Sequence, residues 1–101
     1  MSADVRPPRS ERDELESFLT QPVVLDTRGD LIYIGDLEAV GDWFLVLTNA
    51  DVHDLQSTRT SKELYVMDSA KHGVKKNRER VHVRKSEVVS ISKLSDVTIY
   101  G

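Results

Sequence analysis

The sequence predicts a small, mainly β domain. Five strongly bent strands form a barrel, with an N-terminal helix and a helical insertion between the third and fourth strands. Three observations carry this. Residues 31–47 read as two strands around a tight turn, and both strands have apolar stretches on both faces. Strands of that kind in a short chain suit a small closed barrel with something packed outside it. Gly35 interrupts the first of them, and a mid-strand glycine marks a bend or a bulge. Two short alternating or apolar runs, 81–84 and 88–92, then supply the last strand pair.

The elements follow in order. Residues 1–9, with Pro7-Pro8, read as a mobile arm, and 10–94 as a single domain. Ser10 opens Ser-Glu-Arg-Asp, a helix-start pattern with an acid at its third helical position. Leu15, Phe18 and Leu19 follow at helical spacing, so a helix over 11–19 lays an apolar stripe on the barrel. Pro22 stands beyond it, where a helix cannot continue.

A first strand over 23–27 turns at Arg28-Gly29-Asp30 into a second over 31–40. Gly41-Asp42 makes the next turn, and a third strand covers 43–51. Leu55 to Arg59 is a polar loop. Thr60-Ser61-Lys62-Glu63 reads as a capping box with Thr60 as the cap, opening a helix over 61–72. Leu64, Met67 and Lys71 share a face of that helix, and Gly73 ends it. A strand over 63–68 is the competing assignment. Lys75 to Glu79 is a basic turn, Lys85-Ser86-Glu87 a tight turn or helical twist, and 95–101 a tail in which Val97, Ile99 and Tyr100 can pack or pair with a neighbour. The insertion spans about 54–79.

A chain of 101 residues with 39% hydrophobic content has room for one modest core. Oligomerisation is a common remedy for so small a core. The absence of cysteine excludes a disulfide framework and thiol chemistry. No apolar run is long enough to span a bilayer, and the N-terminus has no secretory apolar segment. A soluble, cytoplasmic protein without membrane contact is expected.

The net charge of −3 conceals a segregation. Residues 11–54 hold eleven acids against Arg12 and Arg28, a net of −9. Residues 71–85 hold Lys71, Lys75, Lys76, Arg78, Arg80, Arg84 and Lys85 against Glu79, a net of +6. Such a segment fits phosphate-backbone contact, contact between copies of the protein, or simply a solvated face. Trp43, after the turn, offers a base a stacking face, or else belongs to a core or interface. Tyr33 reads as core, and Asp36 with Glu38 as an exposed strand face. His53, His72 and His82 lack metal-ligand spacing and read as solvent-exposed. Nucleophile elbows, phosphate-cradling glycine loops and cysteine nucleophiles are all missing from the sequence, so neither an enzyme nor a cofactor is expected.

Val23-Val24-Leu25, Gly29, Tyr33-x-Gly35-x-Leu37 and Phe44-Leu45-Val46-Leu47, followed by Val83-Arg84-Lys85 and Val88-Val89-x-Ile91, resemble the two motifs of the Sm/LSm family. The resemblance covers about residues 13–92. It implies a five-stranded, SH3-like Sm barrel behind an N-terminal helix. It further implies a homo-oligomeric ring, closed by pairing of the fourth strand of one copy with the fifth of the next. Val81, Val83, Val88, Val89 and Ile91 would supply that interface. Arg84 and Lys85 would lie in the turn that lines the ring's pore, and Asp42 and Trp43 in the turn that faces RNA. Two departures stand out. Uridine-binding members carry Asp-x-x-Met-Asn where this chain has Gly41-Asp42-Trp43-Phe44-Leu45, and a glycine where it has Lys85. Two functions are therefore in view. One is a ring that contacts single-stranded RNA through basic residues, including Lys75, Lys76, Arg78 and Arg80. The other is an oligomeric scaffold or protein-interaction module on the same fold, without RNA reading.

Overall fold

In the computed structural model, residues 8–57 and 61–99 are described. The arm expected over 1–9 falls mostly outside them, as do Arg59, Thr60 and Tyr100. The elements run α1 (Glu11–Glu16), β1 (Pro22–Thr27), β2 (Leu31–Val40), β3 (Phe44–Asp54), α2 (Lys62–His72), β4 (Arg78–Arg84) and β5 (Val88–Lys93). Short 3-10 turns cover Leu55–Ser57, Lys85–Glu87 and Leu94–Asp96. All five strands join one antiparallel sheet in the order β4-β3-β2-β1-β5.

The sheet is bent and open. β4 and β5 lie on its two edges, and the five bent strands, the N-terminal helix and the helix between the third and fourth strands are the architecture the sequence predicts.

The bend has a local cause. Ile34 pairs with Asp51 and Asp36 with Thr48, so β3 carries one residue more than β2 opposite Gly35. Asn49 absorbs it with φ 49°, the left-handed region that asparagine tolerates better than most residues. A Cβ on Gly35 would lie 3.0 Å from Ala50 Cα, Ala50 Cβ and the Thr48 carbonyl oxygen. Glycine is required there because two backbones approach closely.

The bulge also swaps the faces of β3. Leu45 and Leu47 point into the first core with Val23, Leu25, Leu37, Ala50 and Val83. Beyond the bulge, Asp51 and His53 point to the other face, toward Tyr65 of α2.

The two faces explain the double-sided strands. α1 closes the first core with Leu15, while Phe18, Leu19 and Tyr33 pack beside it, half-buried. Ser10 accepts from the Asp13 N–H and Asp13 accepts from the Ser10 N–H, each at 3.1 Å. The backbone bond, then the hydroxyl, holds the Asp13 carboxyl below its usual pKa. α1 is shorter than the expected 11–19. After Glu16 the chain tightens into i→i+3 bonds from Ser17, Phe18 and Leu19, and Thr20 turns left-handed at φ 67°. The apolar stripe survives because those turns keep Phe18 and Leu19 on the core.

The second core holds Val24, Ile32, Ile34 and Tyr65, with Val66, Val74, Leu94 and Val97 against it. α2 is the helix of the two alternatives over this stretch, but it begins one residue later than the capping pattern placed it. Ser61 is its cap, accepting from the Leu64 N–H at 3.2 Å. Its buried side is Tyr65 and Ser69, whereas Leu64 is exposed. The helix is held by polar contacts as well as apolar ones. The Tyr65 hydroxyl donates to buried Asp51, and Asn77 Nδ2 donates to the same carboxylate at 3.0 Å. Asn77 also pairs with the Val52 backbone as a strand would, donating to its carbonyl and accepting from its N–H, each at 3.0 Å. Burial, then the bond to Asp51, pushes the Tyr65 phenol well above its ordinary pKa. His53 stacks on Tyr65 with ring centroids 3.8 Å apart, so it is not the solvent-exposed histidine expected.

Candidate nucleic-acid interface

Three segments converge at one corner: the β2–β3 turn, the β4–β5 turn and the start of α1. The Gly41 N–H donates to the Phe44 carbonyl at 2.8 Å, closing the first turn. Phe44 pairs with Arg84 across the ladder, and the Lys85 N–H donates to the Trp43 carbonyl at 2.9 Å. These bonds bring Asp42, Trp43, Arg84 and Lys85 together.

Their side chains are in different states. Trp43 is 71% exposed, so neither a core nor an intrachain packing role accounts for it. Lys85 is only 15% exposed at its side chain. Its ammonium donates to the Gly41 carbonyl at 3.0 Å and pairs with Glu11 at 2.8 Å. It acts as a strut that ties both turns to α1. Asp42 pairs with Arg12, which makes a second tie to α1. Arg84 lies with its guanidinium carbon 5.8 Å from the Phe44 ring centre, within cation–π range. Among the described residues it is the cation of this corner without a carboxylate partner.

The other basic candidates lie elsewhere. Arg78 and Arg84 mark opposite ends of β4, six residues and about 20 Å apart. Arg80 grips Glu38 through two bonds of 3.0 and 3.1 Å. Lys76 pairs with Glu79 at 2.6 Å, and that bond holds the Glu79 carboxyl below its usual pKa. Arg78 donates to the Asn77 carbonyl at 3.0 Å. Lys75 borders a cleft of about 610 Å³ shared with Asp51, Asp68 and Asn77. The basic segment is thus largely interleaved with acids and is not one continuous positive groove. Asp36 and Glu38 are likewise more than a solvated face: Asp36 is half-buried and accepts from Asn49 at 3.1 Å, and Glu38 holds Arg80.

Of the candidate interface residues, Val81, Val88 and Ile91 are half-buried against the first core, and Val83 is buried in it. Val83 can serve an interface only through its backbone. Val89 is 55% exposed. Among the described residues no strand covers the outer side of β4 or of β5.

No protein-family model matches the sequence, and no curated protein does. Solved structures do. The Sm protein of Pyrococcus abyssii, determined in complex with a uridine heptamer, superposes with a TM-score of 0.56 at 17% identity. The match covers 84% of this chain and 99% of that one. An Sm-like protein of Archaeoglobus fulgidus gives 0.57 at 18% identity, over 87% and 99%.

The chain has an Sm-like fold.

A chain of the NatC complex bound to CoA gives 0.50 at 20% identity, over 78% and 82%. Within this Sm-like fold, the residues that follow Asp42 are exposed Trp43, exposed Phe44 and fully buried Leu45. The turn therefore presents two aromatic rings to solvent.

Four residues at or beside this corner were not among the sequence-derived candidates: Glu11, Arg12, Phe44 and His82. Glu11 and Arg12 read from sequence as helix-start residues, and their partners lie 74 and 30 positions away. Phe44 and His82 become neighbours only through the β3–β4 register, their rings 6.0 Å apart and nearly perpendicular at 77°. Among the described residues, no three His, Asp or Glu side chains gather to hold a metal ion, and no helix is long and apolar enough to cross a membrane.

Proposed function

We propose that this chain forms a closed homo-oligomeric ring by pairing β4 of one copy with β5 of the next, and that the ring binds single-stranded RNA. The observation that carries the RNA reading is the corner itself. Exposed Trp43, and Arg84 with no carboxylate partner among the described residues, lie on two turns joined to each other by backbone bonds and by the Lys85 strut. An exposed indole stacks on bases without regard to sequence, and a guanidinium serves both phosphate and base. The Pyrococcus abyssii relative was solved with a uridine heptamer, which supports the same ligand class. Lys85 supports the site as its strut and not as an RNA contact. The role is binding, not catalysis.

The ring reading rests on the two uncovered edges. Exposed edges invite pairing, and rotational closure removes them. Lys76 and Arg80 add little to RNA affinity while paired, although surface pairs worth about 0–1 kcal/mol yield readily to phosphate.

Fluorescence anisotropy with short uridine-rich and adenine-rich strands tests the RNA reading. Binding is expected to weaken as salt rises, since phosphate contacts release counterions. Trp43→Ala should lower affinity about tenfold for either strand. The scaffold reading is favoured by the acid-paired cations. It gains if neither strand binds at any salt and purified protein carries no nucleic-acid absorbance.

A further inference from the structure

We infer that α2 makes a second contact between copies of this chain: the groove between α2 and β5 receives outward side chains of β4 from the next copy, and Glu63 pairs there with that copy's His82. This rests on the ring reading and extends it from the strand edges to the helix.

The groove has a volume of about 450 Å³, and Val24, Val66 and Met67 line it together with Glu63, Ser90 and Ser92. Lys62 fixes the start of α2 beside it. The Lys62 ammonium donates to the Asp26 carboxylate, and to the Thr27 carbonyl at 3.1 Å. The first turn of α2 is thereby held over the end of β1, and Asp26 is registered with Ser90 of β5. Ser90 and Ser92 are on the α2 side of the sheet. Ser92 is registered with Val24 of the second core, whereas Ile91 packs on the first.

Among the described residues no strand covers the outer side of β5. A strand that pairs there brings its own α2-side residues over the groove. On β4 those are Arg80, His82 and Arg84, since Val81 and Val83 pack on the first core. Register then selects the contact. Of the antiparallel registers that overlap all of β5, only the one setting His82 against Ser90 and Val81 against Ile91 keeps both strands' apolar residues on the core side. A slip of one residue puts the valines on the α2 side.

The groups that meet are ones each copy leaves unanswered. Glu63 is exposed and has no side-chain partner among the described residues. His82 is exposed too, and its contact is the edge of the Phe44 ring, with both ring nitrogens open among the described residues. Arg80 and Arg84 flank His82 on the same face, so the potential there favours a carboxylate. Arg84 lies toward the turn and stays with the RNA corner.

The test is subunit exchange between assemblies of the full chain labelled at the N-terminus with two fluorophores, followed by energy transfer. Glu63→Arg and His82→Glu are each expected to speed exchange about tenfold, and the double variant to return it to within about threefold of the parent. Single variants that exchange at the parent's rate, or a double variant that is not rescued, overturn this inference and leave the ring standing. If the parent is a monomer, both fall. A second measurement does not depend on charge. The chain has no cysteine of its own, so a short bis-maleimide should join co-expressed Glu63→Cys and His82→Cys chains into heterodimers. An intact assembly that yields no such product also overturns the inference.

Discussion

Tyr65→Ala is expected to lower the unfolding free energy by about 3–5 kcal/mol, the usual cost of emptying a large aromatic from a core. Tyr65 is the residue through which α2 joins the second core of Val24, Ile32 and Ile34. Its hydroxyl also answers Asp51, a carboxylate only 6% exposed. Tyr65→Phe isolates that polar part. It keeps the ring but leaves Asp51 with Asn77 as its remaining side-chain donor, which should cost about 1–3 kcal/mol. Urea unfolding followed by circular dichroism measures both. pH supplies a second signature. The folded phenol holds its proton more tightly than the unfolded one. Its contribution is therefore complete below the ordinary tyrosine pKa of about 10 and is lost as pH rises from there toward the raised value. The Tyr65→Phe protein should lack this alkaline loss, so the gap between the two proteins should narrow above about pH 10.

Gly35→Val is the other large effect, expected to cost about 1–3 kcal/mol or more through overpacking. The added atoms meet Ala50 Cα and the Thr48 carbonyl, which are backbone and cannot swing aside. Ala50→Gly in the same chain removes one of the three contacts and should restore part of the loss. Thermal melting of the single and double variants reads this directly. A Gly35→Val protein as stable as the parent would show that the bulge opposite Gly35 is not tightly packed.

Much of this fold was legible from pattern. Gly35 announced the bend because a glycine inside an apolar strand has few other uses. The double-sided strands announced material on both faces, and α1 and α2 supply it. What stayed hidden needed register. Nothing in the order of residues says that Asn49 absorbs an extra position and sends Asp51 and His53 to the opposite face from Leu47. His53 therefore read as solvent-exposed, and the polar hub of Asp51, Tyr65 and Asn77 had no sequence signal beyond its residue types. The candidate site divided the same way. Asp42, Trp43, Arg84 and Lys85 were grouped by motif resemblance and do meet at one corner. The positive run from Lys75 to Arg80 left phosphate contact and a solvated face both open, because Glu38, the acid that pairs with Arg80, lies far off in the chain on β2. Helix ends were the least legible feature. Where α1 gives way to tight turns depends on Thr20 adopting a left-handed conformation, which its identity does not demand.

Molar mass in solution, by light scattering coupled to size exclusion, bears most directly on the ring. One chain weighs 11.4 kDa. Pairing of β4 with β5 around a closed ring leaves no edge free, so a single species at a fixed multiple of that mass is expected, unchanged on dilution. A monomer of 11.4 kDa, or assemblies that keep growing with concentration, would contradict closure through those edges.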